Sequence, residues 1–400
     1  RTASLEALHA LAVALDAQWL PGIYMREQTE ALTALLPEFA VDKPLAQAVA
    51  GFITAVLDLM DAKADRKLLQ MVADGKIDAV EQNAFDEIMA LAENVNKAYF
   101  EVRFAKNASA EAIEELIDEK TRFVFVESMS NPGCIVADME ALAKVAHAHQ
   151  MPLVVDNTFG ACGYLCNPFE WGADIICDSA TKWINGHGTA MGGIIVDGGT
   201  FDWGNGRYPE IDGPSEGYHG LNLWKTFGNQ AFIVKCRVDG LRDFGCCPSS
   251  FDSYLMMIGL ETLSLRVKHQ VESTWKLAEY CRNHPKVERV SFVGFEDHAG
   301  YENAQKYYRY GSSGVFAIEL KGSLDSTVRF VESLKLAANM TMIGDSITVV
   351  THPASTTHKQ LSEADLKAAG VTPTLLRISL GLENVEDIIE DFEQAFAQAE

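Results

Sequence analysis

Leu153-Val154-Val155-Asp156-Asn157-Thr158 reads as a short buried strand that ends on a carboxylate. Its apolar residues run without alternation, as in a strand covered on both faces. Upstream, residues 139–150 carry apolar side chains at helical spacing, 123–127 form another apolar run, and 110–119 read as a helix. Downstream, 175–177 and 193–196 are further short apolar runs. Strands alternating with helices predict an α/β domain around a mostly parallel sheet. Beyond it the pattern changes. A long helical stretch over 254–284 precedes strand-like 315–320, a helix over 326–334, strand-like 347–350 and 375–380, and a last helix from Val385. This block predicts a second, smaller α+β domain.

The first hundred residues read differently. They hold only Gly22, Gly51 and Gly75 of the chain's 30 glycines and none of its 8 cysteines. Leu45, Val49, Phe52, Ile53, Val56, Leu57 and Met60 form one helical stripe, and Phe85, Ile88, Met89, Ala92 and Val95 another. Asp74-Gly75 marks a turn between them. The expected organisation is an all-α segment over 1–100, a larger parallel-sheet domain over 101–250, and a smaller domain over 251–400. Residues Ser4 to Leu15 resemble the last helices of a phage-repressor-like helix-turn-helix domain without its recognition helix, and an amphipathic helix of no particular family accounts for them as well.

The chain has 400 residues and a formal net charge of -23. Such a surface repels phosphate backbones and anionic lipid, which argues against nucleic acid or a membrane as partner. No apolar run reaches the length of a membrane span. The start lacks the basic-then-apolar order of a secretory signal. The cysteines, from Cys134 to Cys281, form no C-x-x-C pair. They read as reduced thiols, and the expected location is the cytoplasm.

Three places can carry chemistry. Asp156 ends its strand where ligands of open parallel sheets bind, and a carboxylate there needs a cation beside it. Taken alone, it is as well explained as the cap of the next turn. Ser179-Ala180-Thr181-Lys182 sets two hydroxyls beside a lysine: hydroxyls suit a phosphate, and a partly buried amine suits an imine with an aldehyde. The same residues satisfy S-x-x-K, the serine-acylation motif. Its companions S-D-N and K-T-G are absent, and a glycine-rich loop follows, so that reading is set aside. Arg377 lies within the apolar run Leu376-Arg377-Ile378-Ser379-Leu380. Its fork suits a carboxylate bidentately, and a structural salt bridge is the plainer alternative.

Taken together, Val126-Glu127-Ser128-Met129-Ser130-Asn131-Pro132, Val155-Asp156-Asn157-Thr158-Phe159, Ser179-Ala180-Thr181-Lys182-Trp183 and Leu376-Arg377-Ile378-Ser379-Leu380-Gly381 resemble one family in order and separation. It is the pyridoxal-phosphate (PLP) enzymes of cysteine and methionine metabolism. The resemblance spans about residue 101 to the C-terminus. Pro214-Ser215-Glu216-Gly217-Tyr218-His219-Gly220 points to the branch acting on O-acetylhomoserine. It implies the type I PLP-dependent transferase fold, with a parallel-sheet large domain and a smaller α+β C-terminal domain. Lys182 would hold the cofactor and move protons, and Asp156 would pair with the ring nitrogen. Asn131 would bond the ring oxygen, Ser179 and Thr181 the phosphate, and Arg377 the substrate carboxylate. The implied reaction exchanges acetate on O-acetylhomoserine for sulfide or a thiol, in a homo-oligomer that is usually a tetramer.

The resemblance also implies elements upstream of Glu101: a glycine-containing turn holding the phosphate, a tyrosine stacked on the ring, and a tyrosine–arginine pair reaching a neighbouring subunit. Residues 1–100 contain no S-G-x-A turn, Tyr99 lies too close, and Tyr24-Met25-Arg26 stands in a helical context that does not match. The fold is therefore expected to be incomplete. The alternative to an active transferase is a chimeric or truncated chain joining a helical regulator-like segment to a partial PLP domain. Among the remaining candidates, His147 and His149 read as cations ending a helix rather than a metal site. His187 and His219 read as loop residues near the site. Glu383, Glu386, Asp387, Glu390, Asp391 and Glu393 read as the solvated face of the last helix.

Overall fold

The structure is a computed structural model that describes residues 101–242, 245–356, 366 and 370–399. The stripes read within 1–100, the repressor-like stretch and Tyr24-Met25-Arg26 lie outside the described residues. Ala105–Lys235 and Cys247–Glu400 form one compact unit, which contains two sheets.

The first sheet holds β1 (Val124–Glu127), β2 (Leu153–Asp156), β3 (Ile175–Ser179) and β4 (Gly193–Asp197), side by side in that order. β1, β2 and β3 run parallel, and β4 returns antiparallel to β3. Helix α1 spans only Ala110–Glu114, shorter than expected. Just beyond it, the Asp118 carboxylate accepts the N–H groups of Lys120 and Thr121 at 2.8 and 2.9 Å and turns the chain. Helix α2 (Met139–Ala148) crosses from β1 to β2. Asp138 caps its N-terminus by accepting the Ala141 N–H, and Met139, Leu142, Ala143 and Ala146 bury one stripe.

Short helices α3 (Pro209–Asp212), α4 (Leu223–Phe227) and α5 (Ala231–Lys235) pack beside the first sheet around Trp203. The long helical stretch resolves into α6 (Ser250–Glu261) and α7 (Leu263–Asn283), broken at Thr262. Helices α8 (Tyr301–Tyr307), α9 (Leu324–Ser333) and α10 (Val385–Gln398) complete the set used below. The second sheet holds β5 (Val287–Ser291), β6 (Val315–Leu320), β7 (Ala338–Asn339), β8 (Val349–Thr351) and β9 (Leu375–Ser379), in the order β5-β6-β9-β8-β7. It is antiparallel except for β7 with β8.

Helix α7 belongs to both cores. Leu263 and Val267 pack with Trp183, Leu142 and Val155 under the first sheet. Leu277, Ala278 and Cys281 pack with Phe292, Phe316 and Phe392 under the second. Each large side chain buried this way contributes about 1.5–3 kcal/mol. No helix among the described residues is long and apolar enough to cross a membrane.

The carboxylates around α10 correct one expectation. Glu386, Asp387, Glu390 and Glu393 are exposed. Glu383, however, accepts the N–H and hydroxyl of Thr348, both at 2.7 Å. Asp391 is buried and accepts the backbone N–H groups of Lys335, Leu336 and Ala337 at 2.8, 3.0 and 2.9 Å. These two hold the chain leading into β7 and β8. Acidic spacing along a helix cannot reveal which carboxylate meets a neighbouring backbone.

Candidate active site

Lys182 sits in the turn that leaves β3. The turn is held by Lys182 N–H to Ser179 O (3.1 Å), Asn185 N–H to Ala180 O (2.9 Å) and Gly186 N–H to Lys182 O (2.7 Å). Two helices press on it. A Cβ at Gly259 of α6 would collide with the carbonyl oxygens of Ile184 and Asn185, so only glycine lets the helix approach this closely. Arg266 of α7, 4% exposed, donates from Nη2 to Trp183 O (2.9 Å) and Gly259 O (2.8 Å). Gly259→Ala is expected to destabilise the protein by about 1–3 kcal/mol, the usual range for overpacking. A urea midpoint measurement checks this.

Asp156 ends β2 as expected. Its Oδ1 accepts the Thr158 N–H at 2.9 Å, and the Thr158 hydroxyl accepts the Ser179 N–H at 2.9 Å. The ends of β2 and β3 are thus tied together beside Lys182. Asp156 lies in direct register with Glu127 of β1 and Cys177 of β3. Partial desolvation and the Asp156 charge raise the Glu127 carboxyl above its ordinary range. Burial, then the Asp156 charge, push Asp178 up to about 8.

Asp178 therefore links stability to pH. Unfolded, an aspartate titrates near ~3.9. Its raised folded value means this stabilisation is complete below that pH and is lost as pH rises toward about 8. Asp178→Asn is expected to flatten the decline in unfolding free energy between pH 5 and 8, by up to about 1.4 kcal/mol per pH unit. Urea titrations at the two pH values check it.

Arg377 occupies the middle of β9 and is 4% exposed. Nη1 donates to Asn131 Oδ1 at 3.0 Å. Nη2 donates to Thr341 O (3.0 Å), Met342 O (3.1 Å) and Thr351 Oγ1 (3.0 Å). Nε is buried without a partner. Among the described residues no carboxylate pairs with this guanidinium, so the salt-bridge alternative fails there. A buried cation held by neutral acceptors alone, with one donor unmet, is prepared for an anion. Asn131 precedes a cis peptide bond to Pro132.

Met342 joins the two ends of the site. Its carbonyl accepts from Arg377, and its Sδ lies 3.1 Å from Lys182 Nζ. Burial and the Arg377 charge lower the Lys182 pKa, while Asp345 opposes them. Asn131, Lys182 and Arg377 are thereby brought into one network. Ser179 joins through the turn, and its hydroxyl makes no hydrogen bond among the described residues. The Thr181 hydroxyl is turned to Gly192, accepting its N–H at 3.0 Å and donating to its carbonyl at 3.4 Å. His187 and His219 are exposed and outside this network. His147 Nε2 lies 2.8 Å from Asp174 Oδ2. Met342, Asp345, Arg266 and Asp178 went unnoticed in the sequence. Asp178, adjoining Ser179, and Asp345, after Gly344, were the signals available.

A parallel sheet with a lysine turn beside a strand-end aspartate, facing a buried arginine, defines a PLP enzyme of the type I fold. A family model described as Cys/Met metabolism PLP-dependent enzyme matches residues 44–397. The chain belongs to that family. The match begins at residue 44, so the family reaches further upstream than the resemblance read from about residue 101. A Fusarium oxysporum sulfhydrylase is 47% identical over 299 residues, covering 74% of this chain and 69% of the relative. O-acetyl-L-homoserine sulfhydrylase 1 of Thermus thermophilus is 45% identical over 298 residues, covering 74% and 71%. A crystal structure from Campylobacter jejuni, described as an O-acetylhomoserine (thiol)-lyase and containing a pyridoxyl-lysine phosphate, superposes with a TM-score of 0.69 at 34% identity. That superposition covers 72% of this chain and 68% of the other.

The described residues fit the cofactor's ring. Glu127 and Asp156 stand in register at adjacent strand ends with Asp178 nearby, and burial first, then the Asp156 charge, raises the Glu127 and Asp178 pKa values. No cation among the described residues forms an ion pair with them. A protonated ring nitrogen is the charge such a cluster lacks. The Lys182 amine is partly desolvated and, among the described residues, hydrogen-bonds only the Met342 thioether. The glycine turn, stacking tyrosine and tyrosine–arginine pair sought upstream of Glu101 lie outside the described residues.

Proposed function

We propose that the chain catalyses γ-replacement on O-acetylhomoserine: acetate leaves the γ carbon and hydrosulfide or a thiol takes its place, giving homocysteine or a thioether. The observation that carries this is Arg377, a buried guanidinium with no carboxylate partner among the described residues, set across Met342 from the Lys182 amine. The names of the Thermus and Campylobacter relatives supply the substrate. Bound here, PLP supplies the sink for negative charge at the substrate's α and β carbons.

In this reading the Arg377 guanidinium receives the amino-acid carboxylate, Nε being the donor it now leaves unmet. Lys182 takes the α proton and moves protons at the neighbouring carbon as general acid and base. Asp156 would hold the ring nitrogen, Asn131 the ring oxygen, and Ser179 and Thr181 the phosphate, Thr181 giving up its bond to the Gly192 carbonyl. The larger domain, 101–250, supplies the lysine and aspartate, and the smaller, 251–400, the arginine. The chain works in the cytoplasm, consistent with eight free thiols. It works as a homo-oligomer, a tetramer by family resemblance. Phe251, Tyr254 and Met257 of α6, exposed by 67, 57 and 65%, offer apolar surface for such contacts.

The test is to purify the 400-residue chain with PLP, reduce it with borohydride and map the adduct. Cofactor mass on Lys182 and homocysteine formed from O-acetylhomoserine and sulfide are expected. A colourless protein without adduct, or turnover no faster than Lys182→Ala, would sink the proposal.

A further inference from the structure

The contact between Lys182 Nζ and Met342 Sδ, at 3.1 Å, is unusual for a charged amine. A thioether is a weak acceptor. A carboxylate, carbonyl or hydroxyl bonded to the amine would favour the ammonium; among the described residues none hydrogen-bonds it, which favours the neutral amine. The charged groups facing Lys182 are Arg377 of β9, which disfavours the ammonium, and Asp345, which favours it. Asp345 is itself engaged: its Oδ1 accepts from Ser346 Oγ (3.2 Å) and Ile347 N–H (3.3 Å).

Nothing in the Met342 side chain holds it over the amine; its backbone does. Arg377 Nη2 fixes the carbonyls of Thr341 and Met342. Ser379 Oγ accepts the Gly344 N–H at 2.9 Å. Gln270 of α7 donates to Asp345 O at 2.7 Å and accepts the Trp183 indole N–H at 3.1 Å. Gly344 has φ +68, and a Cβ there would run into the Trp183 ring. Gln270 thus bridges the residue after Lys182 to the Met342 turn. The turn and the lysine are set in register by groups that a change of the 342 side chain leaves in place.

We propose that Met342 is a positioning residue for Lys182, its thioether covering the ε-amine and excluding water and strong acceptors so that the amine stands ready as a neutral nucleophile. The inference takes from the proposed function only the identity of Lys182 as the cofactor lysine. Met342 is half-buried and flexible, so it shields the amine at rest and yields when a larger group arrives.

The test uses the cofactor-free full chain. Lys182 is labelled with trace acetic anhydride across pH and quantified by peptide mass spectrometry, in wild type, Met342→Leu and Met342→Gln. Thermal melts check that all three fold alike. The wild type and Met342→Leu are expected to share a midpoint below the ordinary lysine value of ~10.4. In Met342→Gln, whose amide oxygen is a strong acceptor, the midpoint rises by about one pH unit, and the neutral fraction near pH 7.5 falls ~10-fold. Colour development on adding PLP slows to match and recovers at higher pH. A Met342→Gln midpoint equal to wild type, or Met342→Leu shifting as far as Met342→Gln, overturns the proposal. If no variant takes up PLP, the functional reading falls, while the labelling midpoints still decide the role of Met342.

Discussion

Replacing Lys182 by alanine is expected to lower homocysteine formation by about 10³-fold or more, the scale of losing a positioned acid–base group, and to remove the borohydride-fixed adduct. The substitution deletes the basic nitrogen bonded to Met342 Sδ. The turn around it should persist, because its hydrogen bonds are made by backbone atoms of residues 179–186. Loss of activity with an unchanged melting temperature is therefore the expected pair of results. Equal turnover by the variant would remove Lys182 from the chemistry.

The second large effect falls on Arg377. Arg377→Lys keeps a positive charge but loses the planar fork that now reaches Asn131, Thr341, Met342 and Thr351 together. It also removes Nε, the donor left unmet. Breaking a buried charge pair costs about 3–5 kcal/mol, so kcat/KM for the amino-acid substrate should drop by about 10²–10⁴-fold. Much of the loss should appear in KM, because the carboxylate is bound before and during the reaction. Steady-state kinetics over a range of O-acetylhomoserine concentrations measure it. A kcat/KM within a factor of two of wild type would place the carboxylate elsewhere.

The alternation of strand and helix from Phe123 to Cys177 was plain in the sequence because each strand there is a short uninterrupted apolar run between helical stretches. The roles read into Lys182, Asp156 and Arg377 rested on motif order, and the fold puts Lys182 and Arg377 into one network. Single-chain periodicity could not show that β4 turns back antiparallel, since short apolar runs carry no direction. Nor could it expose the break at Thr262, which lies between two equally helical stretches. Asp391 and Glu383 looked like solvated carboxylates because the N–H and hydroxyl groups that donate to them come from distant parts of the chain. Met342 was invisible for the same reason: its significance comes from Arg377 and Gln270, which clamp the turn it sits on.

Helix α7 has one further consequence. Its first half is packed in one hydrophobic core and its second half in the other. Neither core can come apart without stripping the helix that completes its neighbour, so losses of packing are shared rather than local. The two sheets then melt as a single cooperative body, and a fault seeded far from Lys182, at Cys281 or Leu277, is felt at the lysine.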